Sequence, residues 1–262
     1  MDMESSGFSK IMYHYLQRCN GNVHLLGNAN MLHATIQDYM KNITDFERPD
    51  AYAIVDDAVC IIEHFEFDST KTTAKGSKSK IDLNRIERTF NKVEPTDVGV
   101  TLHDSLNVSH SAQNYINNAL QNTKSHYSKI DSYVNNLRNQ SIINDNSKLE
   151  VGFFIEDTTL LGNVYVPKES DYPRPIILAQ CKQFLDLFEN LPRLDFCFCA
   201  STYSSNYFLW FINRTSIQFY RESQIDLHDI TIIDFRPQAL GHKILIASEL
   251  FENDPQGSNL QD

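Results

Sequence analysis

Two carboxylates at the ends of neighbouring strand-like runs are the residues of this chain best placed to do chemistry. Asp50 closes Arg48-Pro49-Asp50, and Glu63 lies inside Ile61-Ile62-Glu63-His64-Phe65-Glu66-Phe67-Asp68. Between them residues 52–55 are apolar and partly β-branched, Asp56-Asp57 is a turn pair, and residues 58–67 are a second β-rich run, so the stretch predicts a hairpin. Antiparallel pairing through that turn returns Glu63 to the end of the sheet where Asp50 sits. Two hard oxygen ligands there suit Mg²⁺ or Mn²⁺.

Side chains alternate along a strand, so Ile61, Glu63, Phe65 and Phe67 share one face and His64, Glu66 and Asp68 the other. The first face is apolar with a lone carboxylate. Burying it is costly unless it is paired, metal-bound or protonated, so Glu63 reads as a metal ligand or as a partner in a buried salt bridge. The second face offers an imidazole and two carboxylates at intervals of about 6.5–7 Å, a row that reads as metal ligands or as a solvated strand face. Asp50 itself reads as a ligand or as a turn former after proline.

These residues resemble the PD-(D/E)XK nuclease superfamily, the restriction-endonuclease-like fold, which carries Pro-Asp at one strand end and Glu-x-Lys on the next behind an apolar lead-in such as Ile61-Ile62. The resemblance spans residues 30–90, with a looser match of element order to residue 200. It implies a mixed central sheet flanked by helices and metal-dependent hydrolysis of nucleic-acid phosphodiesters. Asp50 and Glu63 then become the metal carboxylates, and the backbone carbonyl of His64 a further ligand. The chain departs from the pattern at the lysine position, which holds Phe65. Phenylalanine can neither orient a water nor neutralise a developing phosphorane charge. Either another residue fills that role, with Glu66, Lys75 and Lys78 as candidates, or the chain is a catalytically inactive nuclease-like fold serving as an interaction or structural module.

Lys75 and Lys78 belong to the small, polar, basic run 69–80, which reverses the sign of a chain whose net charge is −11. It reads as a loop that touches phosphate, or as a solvated linker. Its Gly76-Ser77-Lys78-Ser79 is not a P-loop, because the glycine and lysine order is wrong. The acidic balance repels duplex phosphate at long range, so nucleic-acid contact has to rely on a local basic patch and a metal ion. Five cysteines at no framework spacing suit a reducing compartment, and Cys60, Cys197 and Cys199 read as small core residues. No stretch approaches the roughly 18 continuous apolar residues of a membrane span, and the start of the chain lacks a signal-like segment, so the expected location is the cytoplasm. There is no Gly-x-Ser-x-Gly elbow, dinucleotide fingerprint or His-Glu-x-x-His, which leaves serine-triad hydrolysis unsupported.

The remaining elements must frame the hairpin. Periodicity predicts helices over residues 8–16, 30–41 and 82–92 and one long helix over 109–138, about 40 Å in length, whose apolar stripe packs on the core or forms a homodimer contact. His110 and His126 on it read as surface histidines. Residues 149–155 predict a strand ending in Glu156-Asp157, either a turn or a third approach to the metal. A helix over 176–188 is followed by strands over 194–200 and 207–220, the latter breaking into a hairpin at Asn213-Arg214, with a parallel crossover implied. Trp210 reads as core, and 230–235 and 243–247 as edge strands. The chain is thus expected to be one α/β domain over 1–252, with a helical insertion at about 105–145 and a polar tail over 253–262.

Overall fold

The computed structural model describes residues 7–19, 24–25, 41–55, 58–70, 72–73, 76–77, 81, 84–85, 88, 111–159, 164–166, 174–203, 206–227 and 231–233. The chain divides into two compact units, one formed by Met1–Ser69 with His110–Phe235 and the other by Thr70–Ser109 with Arg236–Asp262. In the second unit the described strands β5 (Thr72–Thr73) and β6 (Gly76–Ser77) form an antiparallel pair. Lys75, Lys78, residues 30–40 of the helix expected over 30–41, the helix expected over 82–92 apart from 84–85 and 88, the strand over 243–247 and the tail lie outside the described residues.

The first unit is an open mixed α/β sheet flanked by helices. Its seven strands are β1 (His24–Leu25), β2 (Ile43–Asp45), β3 (Ala51–Val55), β4 (Ala58–Phe67), β7 (Lys148–Asp157), β10 (Phe196–Tyr203) and β11 (Asn206–Asn213). They lie in the order β1-β11-β10-β7-β4-β3-β2. β2, β3 and β4 run antiparallel in succession, whereas β7 is parallel to both β4 and β10. A parallel neighbour needs a crossover. Helices α2 (Ala112–Tyr127) and α3 (Ile130–Asn139) supply it between β4 and β7, and α4 (Lys182–Glu189) between β7 and β10. A separate three-stranded sheet joins β8 (Val164–Val166) to β9 (Arg174–Pro175) and β12 (Thr231–Ile233).

Both faces of the large sheet are covered, which is why β4 and β7 read as near-continuous apolar runs. On one face α1 (Phe8–Arg18) lays Phe8, Met12 and Tyr15 against Ile62, Phe154 and Phe198. On the other, Ile61, Phe65 and Phe153 pack with Tyr115 of α2, Leu137 of α3 and Phe184 of α4. Cys60, Cys197 and Cys199 are buried free thiols within these cores. No described helix is long and apolar enough to cross a membrane.

Two expectations give way. The long helix over 109–138 is two helices, because the Ser128 hydroxyl takes the Ser125 carbonyl at 2.7 Å. That is the acceptor the Lys129 N–H needs to continue an α-helix, and the N–H turns instead to the His126 carbonyl at 3.0 Å. The second strand of the expected 207–220 hairpin is instead helix α5 (Ile217–Glu222). Asn213 causes the change: its Oδ1 accepts from the N–H groups of Thr215 and Ser216 at 3.1 and 2.9 Å, a local turn that starts a helix. The apolar stripe of 116–137 packs on the sheet, with Ile116, Thr123, Ile130, Val134 and Leu137 buried.

Close approach of β7 and β10 depends on Gly152, where an added Cβ stands 2.0 Å from the Phe196 ring. Gly152→Ala is expected to lower stability by about 1–3 kcal/mol in denaturant unfolding, with part of the loss recovered when Phe196 is shortened to leucine.

Candidate functional site

The hairpin brings Asp50 and Glu63 together. Ala51 pairs with Ile62, so one step beyond the ladder Asp50 stands opposite Glu63, and partners directly opposite share a face. The turn 46–50 is closed by the Phe46 N–H on the Asp50 carbonyl at 2.9 Å. Asp50 Oδ2 accepts the main-chain N–H of His64 at 2.7 Å. In an extended strand a residue's N–H and C=O project to the same side, so the His64 carbonyl also faces Asp50. Burial raises the Asp50 carboxyl above its ordinary range; the His64 N–H opposes the rise and the charge of Glu63 adds to it.

Glu63 is buried among apolar neighbours. Two donors on the helical crossover hold its Oε1: the Tyr133 hydroxyl at 2.6 Å and Nδ1 of His126 at 2.8 Å. The hydroxyl and the imidazole nitrogen are themselves 3.3 Å apart. Burial, then the hydrogen bond to Glu63, pushes the Tyr133 phenol up, so it keeps its proton and donates. The His126 ring lies flat on Phe65, with centroids 4.5 Å apart and planes 13° off parallel. An imidazole therefore covers the Phe65 ring. Among the described residues no hydrogen bond engages Asp50 Oδ1 or Glu63 Oε2, which leaves one oxygen of each carboxylate for a cation. The donor set, two carboxylate oxygens and a carbonyl, fits Mg²⁺ or Mn²⁺.

The parity of β4 places His64 and Glu66 on the opposite face, toward α1. There Glu156 of β7 stands beside Glu66 in the parallel register. Nε2 of His64 lies 3.0 Å from Glu156 Oε2, and the Tyr15 hydroxyl donates to Glu156 Oε1 at 2.8 Å. Glu156 therefore does not approach Glu63 from a third direction. Asp157 pairs with Phe67, four residues beyond Glu63 and so about 13 Å along the strand. It is buried, and its Oδ1 accepts the Thr159 N–H at 2.9 Å. Burial lifts its carboxyl to about 6, against the Thr159 hydrogen bonds that lower it.

His126 is not the surface histidine that its place in the sequence suggests, because the ring is mostly buried between Phe65 and Glu63. Nothing in the sequence marks Tyr15 for chemistry, and Tyr133 is marked only faintly. His126 and Tyr133 each precede a residue of the apolar stripe, Tyr127 and Val134, and so line its edge. Trp210 is partly buried against the core, as expected.

Comparison of the chain with protein-family models, curated proteins and solved structures finds no match.

Removing the Tyr133 hydroxyl leaves a buried carboxylate with one donor fewer, so Tyr133→Phe is expected to destabilise by about 1–3 kcal/mol in chemical unfolding. Asp157 binds its proton more tightly folded than unfolded. Its contribution to stability is therefore present at low pH and lost as pH rises from the ordinary carboxylate range through about 6. Unfolding midpoints measured across that interval are expected to lose this slope in Asp157→Asn, whose amide oxygen still accepts from Thr159.

Proposed function

We propose that this protein is a divergent metal-dependent nuclease of the restriction-endonuclease-like fold. Asp50, Glu63 and the His64 carbonyl would hold Mg²⁺ or Mn²⁺, and His126 takes the place of the lysine displaced by Phe65. The observation that carries the reading is the imidazole of His126 stacked on Phe65 and bonded to Glu63. The mixed sheet flanked by helices supports it as well, since that is the coarse architecture the motif resemblance implies.

A dication held there would supply a water of lowered pKa and stabilise charge on the phosphoryl oxygens. The side chains do the rest. Tyr133 and His126 fix the Glu63 carboxylate in one orientation, and the stacked Phe65 fixes the imidazole plane. His126 is left with Nε2 as the atom that holds or releases a proton beside the scissile phosphate, general acid–base work worth about 10²–10⁴-fold in rate. The net charge of −11 disfavours long-range attraction of nucleic acid, so recognition rests on short-range contacts at this site.

A second reading, a nuclease-like fold kept as an interaction module, is favoured by one feature: Tyr133 and His126 already satisfy Glu63 Oε1 without an ion. Cleavage of single- and double-stranded DNA and RNA in Mg²⁺ or Mn²⁺ separates the two. The nuclease reading expects activity that vanishes in Glu63→Ala with the circular dichroism of the fold retained. His126→Ala is expected to lower kcat about 10²–10⁴-fold at saturating divalent ion, and to weaken metal binding by about 10–100-fold through the lost hydrogen bond to Glu63. No cleavage, together with no divalent binding that depends on Asp50 and Glu63, leaves the interaction module.

A further inference from the structure

The sheet face opposite Glu63 carries a group of imidazole and carboxylate side chains that the nuclease reading does not use. His64 and Glu66 stand on β4, and Glu156 lies across the parallel ladder from Glu66. One ligand atom from each of the three lies within 4.8 Å of the other two. His64 Nε2 and Glu156 Oε2 are 3.0 Å apart, close to the roughly 3–3.5 Å between neighbouring ligands that each sit about 2.0–2.2 Å from one ion. The parallel register sets the Glu66 and Glu156 side chains on one face, side by side with His64.

The surroundings hold these side chains in place. The His64 ring packs against Phe8 and, edge-on, against Phe154, with centroids 5.9 and 5.7 Å away. Tyr15 donates to Glu156 Oε1 at 2.8 Å and so turns Oε2 toward the imidazole. A hydrogen bond that orients a ligating carboxylate in this way is worth about 10–100-fold in metal affinity. Glu66 is exposed, which gives an ion a path from solvent.

We propose that His64 Nε2, Glu66 and Glu156 bind a transition-series dication, Zn²⁺ or Mn²⁺ in preference to Mg²⁺. The imidazole sets the preference, since Mg²⁺ keeps to oxygen ligands and water. Binding takes the His64 tautomer that carries its proton on Nδ1. Three protein ligands leave coordination positions open on this face for water or an anionic ligand. The site is independent of the nuclease reading, because His64 enters the Asp50 side only through its main chain.

The test is calorimetric titration of the full chain carrying Asp50→Asn and Glu63→Gln with Zn²⁺, Mn²⁺ and Mg²⁺ alone. One Zn²⁺ or Mn²⁺ per chain is expected, with Mg²⁺ weaker. His64→Gln, Glu66→Gln or Glu156→Gln should each weaken binding by at least about tenfold, and Tyr15→Phe by about tenfold, with the metal-free unfolding midpoint checked for each variant. Mn²⁺ should also broaden the His64 imidazole resonances in NMR spectra. If the double variant does not fold, the same titrations in the wild-type background decide, because His64→Gln keeps the main-chain groups facing Asp50 and removes only the imidazole. Absence of Zn²⁺ and Mn²⁺ binding, binding undiminished in His64→Gln, or Mg²⁺ bound as tightly as Zn²⁺ overturns the proposal. Loss of cleavage in Glu63→Ala with Zn²⁺ still bound at His64 would show the two sites to be separate.

Discussion

Strand β4 is parallel to β7 along its whole length, from Ala58 to Phe67, and over its first half, Ala58–Ile62, it is also antiparallel to β3. That double pairing decides which layer each of its side chains serves. A strand free at one edge can twist or slip; one gripped on both sides cannot shift by a single residue without moving its whole apolar set to the wrong face. Ile61, Phe65 and Phe67 are thereby committed to α2, α3 and α4, and Cys60 and Ile62 to α1. Glu63 and His64, adjacent in sequence, are separated by the thickness of the sheet.

The consequence on the Glu63 side is a carboxylate taken largely out of water, which needs donors. The crossover from β4 to β7 supplies them. On a straight helix residues seven apart are about 10 Å from each other along the axis, yet the His126 nitrogen and the Tyr133 hydroxyl lie 3.3 Å apart. The break at Ser128 and the reach of the tyrosine side chain close that distance. One hydroxyl in competition with one backbone N–H thus shapes the polar cluster around Glu63. Phe65 then gains a use that its side chain alone does not suggest, as the flat support for an imidazole.

Much of this frame was legible in the residues. Two β-rich apolar runs around the Asp56-Asp57 turn gave the hairpin of β3 and β4, because burial on both sides leaves a strong apolar signature, and strand parity gave the assignment of its faces. The stripe at Ile116, Thr123, Ile130, Val134 and Leu137 was equally plain. Helix continuity was not, since competition between a side-chain hydroxyl and a main-chain donor for one carbonyl leaves no mark on periodicity. For the same reason Asn213 read as the corner of a hairpin: its side chain starts a turn in either case, and the packing of Tyr220 on the Phe211 carbonyl selects the helix.

The order of residues along the chain determined the strands, the faces of their side chains and the opposition of Asp50 to Glu63, since all three follow from local apolar runs, strand parity and one tight turn. Tertiary structure decided the partners. His126 and Tyr133 reach Glu63 across sequence separations of 63 and 70 residues, and Glu156 reaches His64 across 92. Such contacts depend on the direction of a crossover and the register of a parallel pair. Both are set by the packing of whole layers, and neither is encoded in any local run of side chains.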